Sequence, residues 1–131
     1  MQRLTENYKE NLAFLKLRLA PEDSFDVICR EILIGKDKAA LFYIDGFTKD
    51  GVMQKLMQHF MGLKSLPDAQ TFASANLPYV EVDVISEIEP LITAVLSGAS
   101  VMIGEGFGAS AVVIDSRTFP QGKPRSPIAT G

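Results

Sequence analysis

The glycine-rich segment near the end of the chain is where residue types and spacing first suggest chemistry. Gly104, Gly106 and Ala109 match the G-x-G-x-x-G/A fingerprint of dinucleotide-binding loops. Such a loop needs a helix directly after it, because the N–H groups at the helix N-terminus hold the pyrophosphate. Residues 109–115 (A-S-A-V-V-I-D) are short or β-branched and lack a helical period. The spacing therefore favours a hairpin with a glycine turn, and a nucleotide-dependent enzyme is the weaker alternative.

Two carboxylates at the ends of apolar strands could form an acid–base pair. Asp45, followed by Gly46, ends the run 39–44, and Asp115 ends the run 111–114. Aspartate is also a common turn residue. No nucleophile–base set or metal-spaced cluster accompanies the two, so we predict no enzyme, no metal and no cofactor. If the chain binds a small molecule, we expect its pocket near Asp45, residues 104–108 and Asp115.

A second pair, Asp26 and Arg30, lies four residues apart. This spacing places the two side chains one turn apart on a helix or on one face of a strand, so they could form an ion pair. Between them is Cys29, the only cysteine, which cannot form an internal disulfide. Because its neighbours are apolar, we predict that Cys29 is a buried small hydrophobic residue.

Composition limits the classes of partner. Hydrophobic residues make up 47% of the 131 residues, charged residues make up 22%, and the net charge is −3. This balance indicates one globular domain and gives no electrostatic basis for binding nucleic acid or an anionic membrane. The sequence has neither a signal-peptide pattern nor an apolar run of about 20 residues, so we expect the chain as given to be soluble.

Hydrophobic periodicity predicts a helix, two strands, a helix, a strand, a helix and two strands. We therefore predict an α/β (α+β mixed) fold, with a mixed sheet of about five strands and helices packed on its faces. Residues 63–78 look irregular, and Ser86 with Glu89 forms a capping-box pattern. Met53, Met57 and Met61 share one helix face, which indicates either core packing or an adaptable groove. The predicted elements cover residues 4–19, 28–34, 39–44, 50–62, 79–84, 86–98, 99–103 and 109–115.

Several stretches together resemble the N-terminal soluble domain of the A subunits of GerA-type spore-germination receptors. The form Y-I-D-G-F-x-K-D is more similar to the stage V sporulation protein AF branch than to the nutrient-receptor branch. None of the matching motifs is catalytic, and their order over residues 1–120 carries the resemblance. The matching stretches are residues 4–12 (L-T-E-N-Y-K-E-N-L), 26–30 (D-V-I-C-R), 38–51 (K-A-A-L-F-Y-I-D-G-F-T-K-D-G), 95–98 (V-L-S-G) and 111–120 (A-V-V-I-D-S-R-T-F-P).

The resemblance implies a role in germination, in which the domain senses or relays a signal within an ion-releasing membrane complex. It implies the inner membrane of spores for the full-length protein, with this domain on the cytoplasmic side and the membrane reached only through a missing transmembrane part. Partners would be sister subunits, a partner subunit or further copies, met through the first helix or an open sheet edge. The alternative is a small-molecule sensor. Candidate ligand or interface residues are Asp26, Arg30, Asp45, Gly46, Gly104, Gly106, Asp115 and Arg117.

The chain departs from the family pattern after Pro120. There the proline- and glycine-rich sequence Q-G-K-P-R-S-P-I-A-T-G replaces the expected continuation. We therefore expect a soluble subdomain over residues 1–119 and a flexible tail over 120–131. On this interpretation the chain is a truncated piece or a shortened gene product.

Overall fold

A computed structural model describes residues 2–19, 27–44, 50–74 and 81–115, with the side chains of 50–52 left aside. Four helices and five strands follow the predicted order, with one added helix. A short 3-10 turn, Glu105–Phe107, separates the last two strands. The predicted tail over 120–131 lies outside the described residues. The elements are α1 (Tyr8–Arg18), β1 (Val27–Ile34), β2 (Asp37–Ile44), α2 (Asp50–Met61), α3 (Ala69–Ser74), β3 (Glu81–Ile85), α4 (Ile88–Leu96), β4 (Ser100–Gly104) and β5 (Ala111–Asp115).

The strands form one sheet in the order β1-β2-β4-β5-β3. The predicted α+β class and the five strands are confirmed, but the expectation of a mixed sheet is wrong because every pairing is antiparallel. Short connections account for two of the four antiparallel pairings, β1 with β2 and β4 with β5. Gly35 and Lys36 alone turn β1 into β2, and the 3-10 segment returns β4 into β5, whereas a parallel pair needs a long crossover.

Both faces of the sheet are covered by helices, which gives three layers. Alternate residues of each strand point to opposite faces, so neighbouring residues such as Leu41 and Phe42 belong to different cores. The core on the α1 and α4 face contains, among others, Leu15, Phe42, Leu91, Val95 and Val101. The core on the α2 and α3 face contains, among others, Leu41, Leu56, Phe60, Phe72 and Met102.

The first residues of the chain fasten α1 and α4 to each other. The Leu4 N–H donates to the Ser86 carbonyl at 2.9 Å, and the Ile88 N–H donates to the Gln2 carbonyl at 3.0 Å. This backbone pairing corrects the predicted capping box. The residue preceding α4 is Glu87, which makes no side-chain cap, and Ser86 Oγ instead lies 3.1 Å from Ser110 Oγ. The N-terminal segment already supplies an acceptor for the first N–H of the helix.

Helix α3 lies inside the segment that was predicted to be irregular. Asp68 precedes the helix and caps its N-terminus, because its Oδ1 accepts the Thr71 N–H at 2.7 Å. Phe72 is 1% exposed and anchors the helix on the sheet. At six residues the helix is too short to show an apolar period, which is why the pattern missed it.

Candidate functional site

The glycine-rich segment is a hairpin turn. Residue pairs Ser100↔Ile114 and Met102↔Val112 join β4 and β5 directly on either side of it. Strand β5 follows the turn directly, so the described residues place no helix N-terminus at this site for a pyrophosphate. The hairpin prediction is confirmed, and the dinucleotide-loop alternative is wrong.

Gly104 and Gly106 are needed because another part of the chain passes close to them. A Cβ atom at residue 106 would lie 2.6 Å from the Leu66 carbonyl oxygen and 3.1 Å from that of Pro67. A Cβ atom at residue 104 would overlap the Leu66 side chain. Only Gly108, at φ +61°, requires the left-handed backbone region in this turn. The two fingerprint glycines therefore serve packing against residues 66–67.

Two carboxylates hold this packed corner together through backbone groups. The Leu66 N–H donates to Asp37 Oδ2 at 2.9 Å, and the Lys38 N–H donates to Glu105 Oε1 at 2.6 Å. Both bonds are charge-assisted, the stronger kind of hydrogen bond. Sequence reasoning did not single out either residue, since each binds a main-chain group that carries no side-chain signature.

The structure separates the residues that were expected to form one pocket. Gly104 closes the turn end of the β4–β5 hairpin, whereas Asp115 is paired with Glu81 at the opposite end. A strand of five residues places those ends about 13 Å apart. The expectation that residues 104–108 and Asp115 share a pocket is therefore wrong. The remaining candidates Asp26, Asp45, Gly46 and Arg117 lie outside the described residues.

Arg30 is a described candidate residue. It lies on the edge strand β1 and faces α2. It makes no ion pair with any described residue, and its predicted partner Asp26 lies outside the described ranges. Beside it is an open groove of about 520 Å³, lined with the methionines of α2. Met61 is 84% exposed, while Leu56 and Phe60 carry the core contacts of the helix. We call this feature the methionine groove, and its lining is Arg30, Met53, Gln54, Met57, Gln58 and Met61.

A second groove lies on the other face of the same strand. It has a volume of about 410 Å³ and contains Leu33, a large apolar residue that is 67% exposed. Burial raises the pKa of Tyr8, which lies in this groove, to about 12. Cys29, on the same face of β1, is half-buried and not fully buried as predicted, and this burial raises the pKa of its thiol. We call this feature the tyrosine groove, and its lining is Tyr8, Glu31, Ile32, Leu33, Lys38 and Ala39.

The third concave feature is a cavity of about 230 Å³ between the N-terminal segment, α1 and α4. Asn11, 3% exposed, closes one side by accepting the Thr5 N–H at 2.9 Å and donating to the Thr5 carbonyl at 2.8 Å. Arg3 and Glu10 bring opposite charges to the lining. We call it the N-terminal cavity, and its lining is Gln2, Arg3, Thr5, Glu10, Asn11, Phe14 and Ile88.

Two further features concern metals and membranes. Within the described ranges, no three side chains of the metal-binding types come together. None of the described helices has the length and apolar character needed to span a bilayer.

The fold and its grooves define the class of this protein as a three-layer α+β domain with an open sheet edge. The family model described as Bacillus/Clostridium GerA spore germination protein matches residues 14–130. The chain therefore belongs to the GerA spore germination family, which confirms the resemblance found in the sequence. The match extends ten residues beyond Pro120, where the sequence was expected to depart from the family pattern. No match is found among curated proteins.

The fold is also that of a solved germinant-receptor domain. The N-terminal domain of the A subunit of the Bacillus megaterium spore germinant receptor GerK3 superposes with a TM-score of 0.66 at 21% identity. The match covers 88% of this chain and 48% of that chain. This chain thus spans about half the length of the GerK3 domain.

Proposed function

We propose that this domain is a non-catalytic interaction and signal-relay domain within a spore-germination membrane complex. The observation that carries the proposal is the family match over residues 14–130. The structure supports it in one further way. The glycines that suggested nucleotide chemistry are used to pack residues 66–67, while an open groove lies between β1 and α2 among the described residues.

The finer parts of the proposal concern place and partners. In the full-length protein we place this domain on the cytoplasmic side of the spore inner membrane, where it contacts sister subunits, a partner subunit or further copies. We assign the chain to the stage V sporulation protein AF branch on the form Y-I-D-G-F-T-K-D at residues 43–50. An ion-release complex is then the assembly that it joins.

Co-purification from spores tests this proposal. A full-length, affinity-tagged gene product extracted from spore membranes should bring down other germination-complex subunits or untagged copies of itself, identified by mass spectrometry. The same protein without residues 1–119 should lose at least one of these partners. Recovery of every partner at unchanged yield without the domain would rule out the interaction role.

A small-molecule sensor is the second candidate function, favoured by the N-terminal cavity. Its opposite charges, Arg3 and Glu10, and its apolar floor of Phe14 and Ile88 suit a small zwitterionic or polar molecule. A ligand at about 100 times its Kd should stabilise the fold by about 2.7 kcal/mol, a shift of several degrees in Tm. Thermal-shift measurements with amino acids, sugars and nucleotides test it, and unchanged Tm values throughout would remove the sensor hypothesis.

A further inference from the structure

The edge strand β1 has one side that no described residue pairs with. In the sheet its eight residues, Val27–Ile34, pair only with β2, and the other edge of the sheet is the shorter strand β3. An open edge of this length offers a row of N–H and C=O groups to an incoming strand. The question is which groups these are and which strand they fit.

The two-residue turn identifies the outward backbone groups. Ile34 and Asp37 flank the turn and form a hydrogen-bonded pair, and bonded pairs then alternate along the ladder. Arg30 and Ile32 therefore bond to β2, while Cys29, Glu31 and Leu33 direct their N–H and C=O groups outward. The Lys38 N–H agrees with this register, since it donates to Glu105 rather than to Leu33 opposite.

Apolar grooves flank the open edge on both faces of the sheet. Arg30 borders the methionine groove, and Leu33 borders the tyrosine groove. An added strand would direct alternate side chains into these two grooves, as in peptide recognition by strand addition. Methionine side chains are flexible and polarisable, so the first groove can adapt to differently shaped apolar residues.

Charge argues against a second copy of β1 as the added strand. Two antiparallel registers would pair most of β1 with a second copy. In one of them Arg30 would face Arg30 of the other copy, and in the other Glu31 would face Glu31. Like charges directly opposite each other destabilise a sheet. A strand of different sequence avoids this cost if an acidic residue faces Arg30 and a basic residue faces Glu31. The basic residue would share the Glu31 carboxylate with Lys16, whose Nζ lies 3.1 Å from Glu31 Oε2.

We propose that β1 is a docking edge for an extended segment of a partner protein, with apolar residues on both faces around an adjacent basic–acidic pair. This inference rests on the proposed interaction function and names its surface. The segment would pair antiparallel with β1, place its carboxylate beside Arg30, and fill the methionine and tyrosine grooves with its apolar side chains.

A designed peptide tests the edge with the 131-residue chain. The peptide T-V-V-K-E-V-I-T places lysine opposite Glu31 and glutamate opposite Arg30 in the antiparallel register. The control T-V-V-E-K-V-I-T has the same composition with the two charges exchanged. We expect fluorescence anisotropy to show about tenfold tighter binding of the first peptide, because two cross-strand charge pairs change sign. Equal affinities, or no binding of either peptide at about 1 mM, would overturn the proposal.

Two variants and an amide-exchange measurement make the test specific for the edge. The double variant Arg30→Glu, Glu31→Arg should prefer the control peptide. Leu33→Pro removes an outward N–H while leaving the bonds to β2, so its Tm should be retained and peptide binding lost. In hydrogen exchange, the bound peptide should protect the Cys29, Glu31 and Leu33 amides at least about tenfold beyond any change at Arg30 and Ile32. Protection elsewhere alone would contradict strand addition.

The same variants separate this inference from the proposed function. If the full-length protein retains its germination-complex partners while the designed peptide fails to bind, the edge assignment falls and the interaction function stands. If the peptide binds selectively but removal of residues 1–119 costs no partner, the interaction function falls. Support for both requires that full-length Leu33→Pro recovers less of a partner subunit than the wild-type protein does.

Discussion

A methyl group at residue 106 would lie 2.6 Å from the Leu66 carbonyl oxygen, whereas one at residue 62 would meet nothing closer than 3.5 Å. We therefore expect Gly106→Ala to lower the free energy of unfolding by about 1–3 kcal/mol, because backbone must move to admit it. Gly62→Ala is the matched control and should change it by less than about 0.5 kcal/mol. Urea unfolding of the two variants measures this. A neutral Gly106→Ala would show that residues 66–67 do not pack against the turn.

Tyr8 is the residue whose titration should be visible in stability. Its pKa is raised to about 12 by burial, so the unfolded chain ionises first as pH rises above about 10. The contribution of Tyr8 to the free energy of unfolding is therefore complete below pH 10, and it declines as pH approaches 12. The urea midpoint of the wild-type protein should fall between pH 8 and pH 11, and Tyr8→Phe should reduce that fall. An identical fall in both proteins would contradict burial of the phenol.

At the scale of elements, helix α1 depends on a cap at its first turn. Asn7 Oδ1 accepts the Glu10 N–H at 3.1 Å. We expect Asn7→Ala to cost about 1 kcal/mol, while Asn7→Ser, which keeps an accepting oxygen, should stay close to wild type. Helicity by circular dichroism and the urea midpoint together report the effect. Equal losses in the two variants would show that the oxygen is not the capping group.

Elements with long periodic patterns could be predicted from the sequence, and elements fixed by tertiary contacts could not. The period of α4 and the continuous apolar run of β2 identify both within two residues of their observed bounds. Helix α3 is held by Asp68 and by Phe72 against the sheet, and neither contact leaves a local signature. The capping pattern at Ser86 failed for the same reason, since the Gln2 carbonyl from the far N-terminal segment takes the helix N–H.

The candidate sites were less predictable than the fold because they depend on which strand ends meet. The glycine turn was identified as a hairpin, yet its packing partner, residues 66–67, lies almost 40 positions earlier in the chain. Arg30 was singled out for its spacing from Asp26, which lies outside the described residues, and the sequence did not indicate that Arg30 lies beside the α2 methionines. That juxtaposition depends on the strand order, which no local pattern encodes.

For the whole molecule, the two cores share one sheet and should unfold together. Leu91 and Phe72 lie on opposite faces and are 0% and 1% exposed. Leu91→Ala should cost about 2–5 kcal/mol and Phe72→Ala about 3–5 kcal/mol, each shifting one cooperative transition. Leu17→Ala, at a residue that is 74% exposed, is the control and should be nearly neutral. Separate transitions in calorimetry would show that the two layers are independent.

Strand β5 lies inside the sheet, between β4 and β3, and its last residue is Asp115. A force directed along β5 would load two hydrogen-bonded ladders in shear at once. The same force along the edge strand β1 would load a single ladder. A displacement along β5 would therefore move the sheet and its helices together, and the β1 edge would travel with it.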